Sequence, residues 1–567
     1  MRKTGLLKLT IFAIALFANI NYLLFILNPI HADNLGFFIV TGIADTITGI
    51  IFVSTWATAL YFELFQQRYY REIAELRQRG SYLLREKVAV LIPVVNEDLT
   101  IVKNTIERAQ ALKGEKAIYL LDDGRKPATA ALAAHMHVCY ITRPDNRFYK
   151  AGNLNHGLRF VCEAFVIVVD ADFALHPDFI QKTLPLFHHP KIAAVQTPQV
   201  YSNEETLFAK GCKYLQNIFY TYLQPGKNLV DSSFCVGTNV IYRKRALEEV
   251  GGITEVLDSE DVFTTLALLE HGYKVFYLNE PLAAGLAPTT MISFYNQQFR
   301  WARGGLTMLL KHNTLLNRRL HPEQRLQFFL SNFFYFSGIS VLIYLLSPLI
   351  AILLNVKPLN DAYFWEWLPK YVLFFCTNFL FFMTLVKKHR LQSLVLGMFS
   401  FVPYITALSS VLLGLPHFTW NPTHAHARGT ITKLLSPYII YLAISLAIGY
   451  FLWTGILSFN PGLIEYYAWF SVDIIIVATF IVHSYGARSQ VTIPVFERQN
   501  QTDTVLMGDE VYLATLSAEE LLIVQPLRGS ITAPTTALPQ QQMRLKDYPT
   551  VDEIPTLKLP ALGKNGK

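Results

Sequence analysis

The 567-residue sequence has few charged residues: Asp, Glu, Lys and Arg make up 16% of it, against about a quarter in soluble globular domains. It has five cysteines, widely spaced and without a CxxC pair, so neither a disulfide framework nor a cysteine zinc site is predicted. It also lacks a P-loop and a GxGxxG motif after the first strand. These absences argue against a nucleotide triphosphatase and a dinucleotide-dependent oxidoreductase.

Long apolar runs take the place of the missing charges. Hydrophobic residues make up 52% of the chain, and a helix needs about 20 of them to cross a bilayer. The candidate runs occupy residues 6–27, 37–62, 328–354, 371–386, 391–415, 437–457 and 464–483. The net charge of +7 is then typical of basic cytoplasmic loops rather than of nucleic-acid binding. These features predict an integral membrane protein that contacts lipid and has no nucleic acid partner.

The number of crossings depends on two of these runs. A signal peptide is the alternative for 6–27, but its apolar core is usually shorter and a small-residue cleavage site should follow. The run 391–415 contains Pro403 and Gly414 and lies between the basic clusters 387–390 and 428–433. A spanning helix there would place one cluster outside, against the positive-inside rule. We predict six crossings, cytosolic termini and an interfacial or re-entrant helix at 391–415; a seventh crossing is the alternative.

Between the two groups of membrane runs, residues 66–325 have the composition of a globular domain. Apolar strands are predicted at 88–93, 117–121, 138–141 and 165–169, and helices at 100–112 and from about residue 152. This alternation predicts an α/β domain with a parallel sheet. Ligands of such sheets bind at the carboxyl ends of the strands. Two acidic motifs follow strands there, Asp122-Asp123-Gly124 and Asp170-Ala171-Asp172.

The second acidic motif has the chemistry of a metal site. Alternate side chains of an extended segment point the same way, so Asp170 and Asp172 would present two hard carboxylates to Mg²⁺ or Mn²⁺. Taken alone, either motif is also good turn or helix-cap chemistry. Later in the block, Ser259-Glu260-Asp261 begins an amphipathic helix and Gln297-Gln298-Phe299-Arg300-Trp301 follows. Helix capping and an interfacial anchor are their plain alternatives.

The ordered set of motifs is more specific than any one of them. With Lys150-Ala151-Gly152-Asn153 and Gln196-Thr197-Pro198-Gln199, it resembles the D, DxD, TED and QxxRW motifs of the processive membrane glycosyltransferases of family 2, including bacterial cellulose synthase catalytic subunits. The resemblance is strongest over residues 86–310. It implies an α/β glycosyltransferase domain of the GT-A, Rossmann-like fold, inserted in an α-helical transmembrane bundle.

The resemblance also implies a role for each motif residue. Glu97, Asp123 and Lys150 would contact the uridine part of a UDP-sugar donor, with Asp122 a further substrate-binding residue. Asp170 and Asp172 would hold the metal and the diphosphate. Asp261 would be the general base, with Glu260 orienting it. Arg300 would bind the leaving diphosphate, Trp301 would stack on the acceptor sugar, and Gln297 would bond beside them. Cys235, in Phe234-Cys235-Val236-Gly237, is a site candidate near the acceptor, with a buried core cysteine as the alternative.

The implied activity is inverting transfer of glucose from UDP-glucose to a growing β-glucan that leaves through the helix bundle. A different donor or linkage (glucomannan, mixed-linkage glucan, chitin) and a glycolipid glucosyltransferase are the enzymatic alternatives. A transporter or channel with a degenerate cytosolic domain is the non-enzymatic one, although the apolar runs contain few ionisable residues, chiefly Asp45 and Asp473. An accessory export subunit or further copies of the chain are the partners expected beside donor, polymer and lipid.

The expected organisation has four parts. Residues 1–65 form two membrane helices, 66–325 the cytosolic catalytic domain with interfacial helices, 326–486 the channel region, and 487–567 a cytosolic tail with short strands at 491–495 and 510–514 and disorder from 532. Residues 416–434 take the place of the family's gating loop but lack the Lys of its FxVTxK pattern. The RxxxR and DxSxxG segments that bind cyclic di-GMP in relatives are missing after Ala487, so regulation by that messenger is not expected.

Overall fold

The computed structural model describes residues 3–386, 390–415 and 428–486, together with three strands between residues 503 and 526. The predicted strand at 491–495, the tail from 532 and residues 416–427 of the gating-type loop lie outside the described residues. The chain forms two compact units, residues 1–497 and 498–567. In the second unit the three strands pair in an antiparallel sheet, and Glu510–Thr515 confirms the strand predicted at 510–514.

Helices make up most of the first unit. In chain order they are α1 (Lys3–Ile26), α2 (Leu35–Arg79), α3 (Leu99–Gln110), α4 (Pro127–His135), α5 (Tyr149–Leu158), α6 (Phe179–Thr183), α7 (Leu207–Ile218), α8 (Gln224–Asn228), α9 (Lys244–Glu249), α10 (Glu260–Glu270), α11 (Met291–Lys311), α12 (Pro322–Phe333), α13 (Ser337–Leu354), α14 (Phe364–Leu385), α15 (Arg390–Phe399), α16 (Phe401–Leu412), α17 (Arg428–Trp453) and α18 (Ile464–Gly486).

The strands lie in the block between the membrane helices, except for the last three. They are β1 (Val88–Val94), β2 (Lys116–Asp122), β3 (Cys139–Ile141), β4 (Phe165–Val168), β5 (Phe173–Leu175), β6 (Ile192–Gln196), β7 (Val200–Tyr201), β8 (Val240–Arg243), β9 (Lys274–Tyr277), β10 (Ala283–Gly285), β11 (Asp503–Met507), β12 (Glu510–Thr515) and β13 (Ile523–Pro526).

A seven-stranded sheet in the order β3-β2-β1-β4-β8-β6-β9 forms the centre of the predicted catalytic domain. We call this domain, residues 66–325, the catalytic block. Strands β1 to β4 run parallel, whereas β8 is antiparallel to both β4 and β6. The predicted α/β domain is therefore confirmed, and its predicted parallel arrangement holds for β1 to β4, whose ends differ from the prediction by at most one residue. Val, Ile and Leu fill both faces of β1 and β4, as expected for strands covered by helices on both sides.

The register of the sheet brings the acidic motifs to one edge. Val94, the last residue of β1, pairs with Asp122, the last residue of β2. On the other side of β1, Leu91 pairs with Val168 at the end of β4. Since parallel strands end at the same edge, Asp122-Asp123 and Asp170-Ala171-Asp172 leave the sheet at one edge, on either side of β1. The local pattern of apolar strand followed by acid thus creates a polar edge on a buried sheet.

Seven helical stretches in the described part of the chain are long and apolar enough to cross a membrane, 391–412 among them. That stretch is broken at Ser400 into α15 and α16. Helix α15 packs along α7 of the catalytic block, with Leu396 against Gly211, and α16 packs along α11, where the Tyr404 hydroxyl donates to Gln298. Contact with two helices of the catalytic block favours the interfacial interpretation, and six crossings stays our prediction.

Helix α2 joins the membrane to the catalytic sheet. Its 45 residues span about 68 Å at 1.5 Å per residue, far more than the hydrocarbon needs. Near its end the buried Tyr69 hydroxyl donates to the carbonyl of Tyr277 at 2.8 Å and accepts from the amide of Asn279 at 2.7 Å. One phenol thus satisfies two backbone groups where β9 ends. The helix therefore fixes the sheet relative to the membrane helices.

We expect Tyr69→Phe to destabilise the purified protein. The change leaves a buried amide and a buried carbonyl without their partner, which costs about 1–3 kcal/mol and lowers the melting temperature by roughly 2–10 °C. Differential scanning fluorimetry in detergent measures the shift. Tyr70→Phe, at the half-buried neighbouring position, is the control, and equal melting of the two variants would contradict this account of α2.

Reporter fusions test the predicted topology. We expect a fusion near Trp420 and one after Arg488 to report the same cytosolic side, because 391–415 does not cross the bilayer in our interpretation. Alkaline phosphatase and green fluorescent protein fusions read the two sides independently. A periplasmic or lumenal signal near Trp420 would instead establish a seventh crossing.

Candidate active site

The polar edge of the sheet is organised around Lys150, at the start of α5. Its ammonium donates to a carboxylate oxygen of Asp170 and to the carbonyl of Gly237 at 2.7 Å. The amide of Asp170 in turn donates to the Thr238 hydroxyl at 2.9 Å. Burial lowers the pKa of Lys150, but the carboxylates of Asp170, Glu260 and Asp261 outweigh it and raise the pKa overall. The lysine is therefore a fixed positive charge among acids.

Asp170 and Asp172 fit the divalent metal that their spacing predicts. Burial is the main cause that raises the pKa of Asp172 to about 7, and the negative charges of Asp170 and Glu97 contribute to the same shift. A divalent cation between the two carboxylates would relieve that repulsion. In the described ranges, no three or more His, Cys, Asp or Glu side chains are placed so that they could hold a metal ion together. Ligands beyond the two carboxylates would therefore be water and substrate oxygens such as those of a diphosphate.

Asp261 lies next to this group at the start of α10. A Cβ atom placed on Gly237 would lie 3.3 Å from the Asp261 carboxylate and 3.5 Å from the Lys150 ammonium, so Gly237 marks where the acid and the lysine meet. Gly237 also has φ 83°, a conformation that glycine adopts without strain. Burial raises the pKa of Asp261 to about 7, with the charge of Glu260 as the second cause and the Lys150 ammonium opposing both. A buried carboxylate with a near-neutral pKa is suited to general base catalysis.

Helix α11 carries the third part of the site. Gln297, Arg300 and Trp301 lie three and four residues apart, on one face of the helix. The Gln297 amide donates to the Tyr201 hydroxyl at 3.2 Å. Further along, Gly304 leaves no room for a side chain, because a Cβ there would overlap Ser259. Helix α11 therefore packs directly on the segment that precedes Asp261.

A cavity of about 900 Å³ begins at this site and continues into the membrane helices. Asp261 and Trp301 line it at the catalytic end. Residues on α1, α2, α13, α14 and α18 line the rest, including Asp45, Trp367 and Glu465. Helices α7, α8, α12 and α15 contribute as well. The same space therefore contacts both the candidate base and the membrane-spanning part of the chain.

Two predicted site residues have structural surroundings instead. The Asp122 carboxylate accepts from the amides of Gly124 at 2.7 Å and Lys126 at 3.1 Å, and from the Tyr140 hydroxyl at 2.9 Å. These bonds are those of the turn alternative, since they hold the chain after β2. Cys235 is fully buried and does not line the large cavity in the described residues. Burial raises the pKa of its thiol to about 12, as for a core cysteine.

Arg143 belongs to none of the predicted motifs, yet it lies beside the site in the structure. This buried guanidinium binds both Asp123 carboxylate oxygens, at 2.6 and 2.7 Å, and donates to the carbonyls of Arg147 at 2.7 Å and Tyr149 at 2.8 Å. Tyr149 has φ 45°, a left-handed conformation that costs energy in a residue with a side chain. Arg143 therefore connects Asp123 to the strained turn that presents Lys150.

Glu97 shapes the end of β1. Its carboxylate accepts from the amides of Val95 at 2.6 Å and Asn96 at 3.0 Å, which closes a tight loop beside the acidic edge. Its negative charge also contributes to the raised pKa of Asp172. Of the residues predicted from the sequence, Glu97, Lys150, Asp170, Asp172, Glu260 and Asp261 are brought together. On α11, Gln297 bonds to Tyr201, Trp301 lines the cavity that Asp261 also lines, and Arg300 lies between them in the sequence.

Comparisons with known proteins agree with this geometry. Residues 89–251 match the family model described as Glycosyl transferase family 2. Cellulose synthase 2 of Novacetimonas hansenii is 33% identical over 272 residues, which are 46% of this chain and 17% of that protein. The UDP-forming cellulose synthase catalytic subunit of Pseudomonas fluorescens SBW25 is 35% identical over 272 residues, 46% of this chain and 37% of that protein. The chain thus spans well under half the length of these curated relatives.

Similarity to solved structures is low. The mannosyltransferase PcManGT of Pyrobaculum calidifontis, solved with GDP-Man and Mn²⁺, covers 63% of this chain at 13% identity with a TM-score of 0.43. Residues 89–251, which match the family model, contain all but the first residue of β1, strands β2 to β4, the acidic edge, Lys150 and Gly237. The α/β region of the chain thus matches glycosyltransferase family 2 over residues 89–251 and is similar in sequence to the catalytic subunits of bacterial cellulose synthases.

Proposed function

We propose that the protein is a processive, inverting β-glycosyltransferase that polymerises glucose from UDP-glucose into a β-glucan and passes the polymer across the membrane. The observation that carries this proposal is the single cavity that contacts both Asp261 and the membrane helices. A soluble-type transferase needs no such space. An enzyme that keeps its product bound while adding sugars needs a route for it beyond the acceptor position.

The transfer step follows from the side chains around the cavity. Asp261 takes the proton of an acceptor hydroxyl as that oxygen bonds to the anomeric carbon of the donor. The bond from that carbon to the diphosphate breaks on the opposite face, and UDP leaves with the electron pair. One base and one displacement invert the configuration of the sugar. A divalent ion, when held by Asp170 and Asp172, offsets charge on the diphosphate.

Positive charge on this chain is available for the same leaving group. Lys150 is a donor fixed beside Asp170, and Arg300 can bind two phosphate oxygens at once. The Lys150 ammonium is held in place before the reaction begins, so it can stabilise the departing diphosphate without reorganisation. Trp301 lines the cavity beside Asp261, where its ring can stack on the acceptor sugar. A glucan acceptor, the catalytic base and the leaving-group cations thus have separate places.

Replacing the base tests the proposal directly. We expect Asp261→Asn to lower incorporation of labelled glucose from UDP-glucose in membrane vesicles by at least about 100-fold, since general base catalysis contributes roughly 10²–10⁴. UDP binding and the melting temperature should stay close to wild type. Glu248→Gln, at an exposed position on α9, is the matched control. Incorporation unchanged by Asp261→Asn would defeat the assignment.

The pH dependence of the reaction should report the same carboxylate. Because the pKa of Asp261 is raised to about 7, the group is protonated and inactive as a base below that pH. We expect kcat/KM for UDP-glucose to rise with pH through neutrality, and protonation of Asp172 at low pH to act in the same direction.

The variant Glu260→Gln separates these two acids. It removes the negative neighbour that is the second cause of the Asp261 shift, so the acidic limb should move to lower pH whatever happens to kcat. Initial rates of UDP release between about pH 5.5 and 8.5 measure the limb. A limb at the same pH in both proteins would exclude Asp261 as the titrating base.

A further inference from the structure

Asp45 is a carboxylic acid inside an apolar membrane run. It lies ten residues beyond the start of α2 (Leu35–Arg79), about 15 Å along the helix axis. It is buried, with 9% of its surface exposed. An acid at such a depth is costly and generally marks a pathway or a binding site. The transfer reaction described above makes no use of it.

Two tyrosines on other helices hold the Asp45 carboxylate. One oxygen accepts from the Tyr344 hydroxyl of α13 at 2.8 Å, and the other accepts from the Tyr22 hydroxyl of α1 at 3.0 Å. The Tyr344 hydroxyl also lies 3.1 Å from the Thr48 hydroxyl. A carboxylate has about four acceptor positions, so each oxygen can accept one more bond. The phenolic oxygens keep acceptor capacity too.

These four side chains line the same cavity as Asp261. Helix α14 contributes an aromatic wall to it: Trp367 and Tyr371 stack with ring centroids 4.7 Å apart, and Tyr371 and Phe375 follow at 6.3 Å. Tyr371 also lies beside Tyr22, with ring centroids 5.9 Å apart, so the hydroxyl-binding groups adjoin the aromatic wall. This combination matches a pyranose, which has hydroxyls at its edge and C–H groups on its faces. Apolar walls with a few placed polar groups are typical of ligand sites.

The charges on the cavity wall have mostly one sign. Among the described lining residues, Asp45, Asp261, Glu465 and Asp473 are acidic and Lys227 is the one basic residue. Lys227 contacts Gln327 and Ser331 on α12 and its ammonium lies 5.7 Å from the Phe234 ring, next to the Phe234–Gly237 segment of the catalytic end. Unscreened repulsion between like charges is strong in a low-dielectric environment, so the Asp45 region disfavours a carboxylated polymer.

We propose that Tyr22, Asp45 and Tyr344 form a binding site within the membrane for the hydroxyls of an uncharged pyranose unit, and that this site admits neutral polysaccharide and disfavours uronic acid polymers. The proposal rests on the function proposed above, since it places the product of Asp261 in the same cavity. It adds the residues that bind this product within the membrane and a preference for a product without charge.

Binding of defined oligosaccharides tests the site without catalysis. The probes are β-1,4-linked hexamers of glucose and of glucuronic acid, titrated calorimetrically into the full chain in detergent. We expect the glucose hexamer to bind the wild type at least about tenfold more tightly than the glucuronic acid hexamer, which equals about 1.4 kcal/mol. Asp45→Asn and Tyr344→Phe should each weaken binding of the glucose hexamer by roughly threefold or more. Asp45→Asn should also reduce the difference in affinity between the glucose hexamer and the glucuronic acid hexamer.

Thr46→Val is the matched control, because Thr46 is a half-buried polar residue of α2 next to Asp45, donates only within its own helix to the Gly42 carbonyl and is absent from the described lining of the cavity. It should bind both hexamers as the wild type does. Two variants keep the test valid if one of them fails to fold, as judged by its melting temperature. Wild-type affinities in both folded variants, or equal affinity of the wild type for the two probes, would overturn the proposal.

A parallel assay of glucose incorporation separates this inference from the function on which it rests. A wild type that incorporates glucose while the Asp45 and Tyr344 variants bind and elongate normally refutes the membrane site alone. A wild type that incorporates no sugar from any UDP-sugar refutes the proposed function. Shorter polymers from the folded variants, at unchanged initial rates of UDP release, support the site.

Discussion

The ammonium of Lys150 is the interaction on which the site depends. Several acidic groups converge at the edge of the sheet, and each would be unstable as an anion so close to the others. Lys150 donates to Asp170 and to the Gly237 carbonyl, and its charge also acts on Glu260 and Asp261. It therefore joins the end of β4, the Phe234–Gly237 segment and the start of α10. The diphosphate donor that we propose needs positive charge at the same point, so the lysine that stabilises the fold would also bind that donor.

The position of Lys150 is itself secured by neighbours that carry no substrate role in our account. Arg143 holds the carbonyl of Tyr149 in a turn that would be strained on its own, and it neutralises Asp123. Removing one partner of such a buried pair leaves the other charge uncompensated. Tyr69 at the end of α2 and Gly304 in α11 act at longer range, because they set the sheet and the base-bearing segment against helices that continue to the membrane. A few close contacts therefore set the position of the candidate active site relative to the cavity among the membrane helices.

Much of this could be predicted from the sequence because the signals are local. An apolar strand that ends in Asp, repeated at Asp122 and Asp170, predicts both the parallel sheet and its polar edge, and the spacing of Gln297, Arg300 and Trp301 places them on one helix face. Contacts between distant segments could not be predicted. Arg143 follows a short strand, and no motif around it indicates a contact with Asp123. The sequence pattern also does not show that Asp123 binds Arg143 whereas Asp122 closes a turn. Cys235 shares its segment with Gly237, yet only packing shows that the glycine lies at the site and the thiol in the core. The cavity is formed by helices more than 400 residues apart in the chain. The contacts of Asp45 with Tyr22 and Tyr344 arise only when these helices pack together.

The most direct test of the central claim is the product made by sealed, inside-out membrane vesicles from radiolabelled UDP-glucose, with unlabelled UDP-sugars as competitors. The account predicts a long polymer that is protected inside the vesicles, is degraded by a β-1,4-glucanase after detergent treatment, and is diminished most by unlabelled UDP-glucose. Label found only in lipid or in single transferred sugars, or no incorporation from any UDP-sugar, would contradict it.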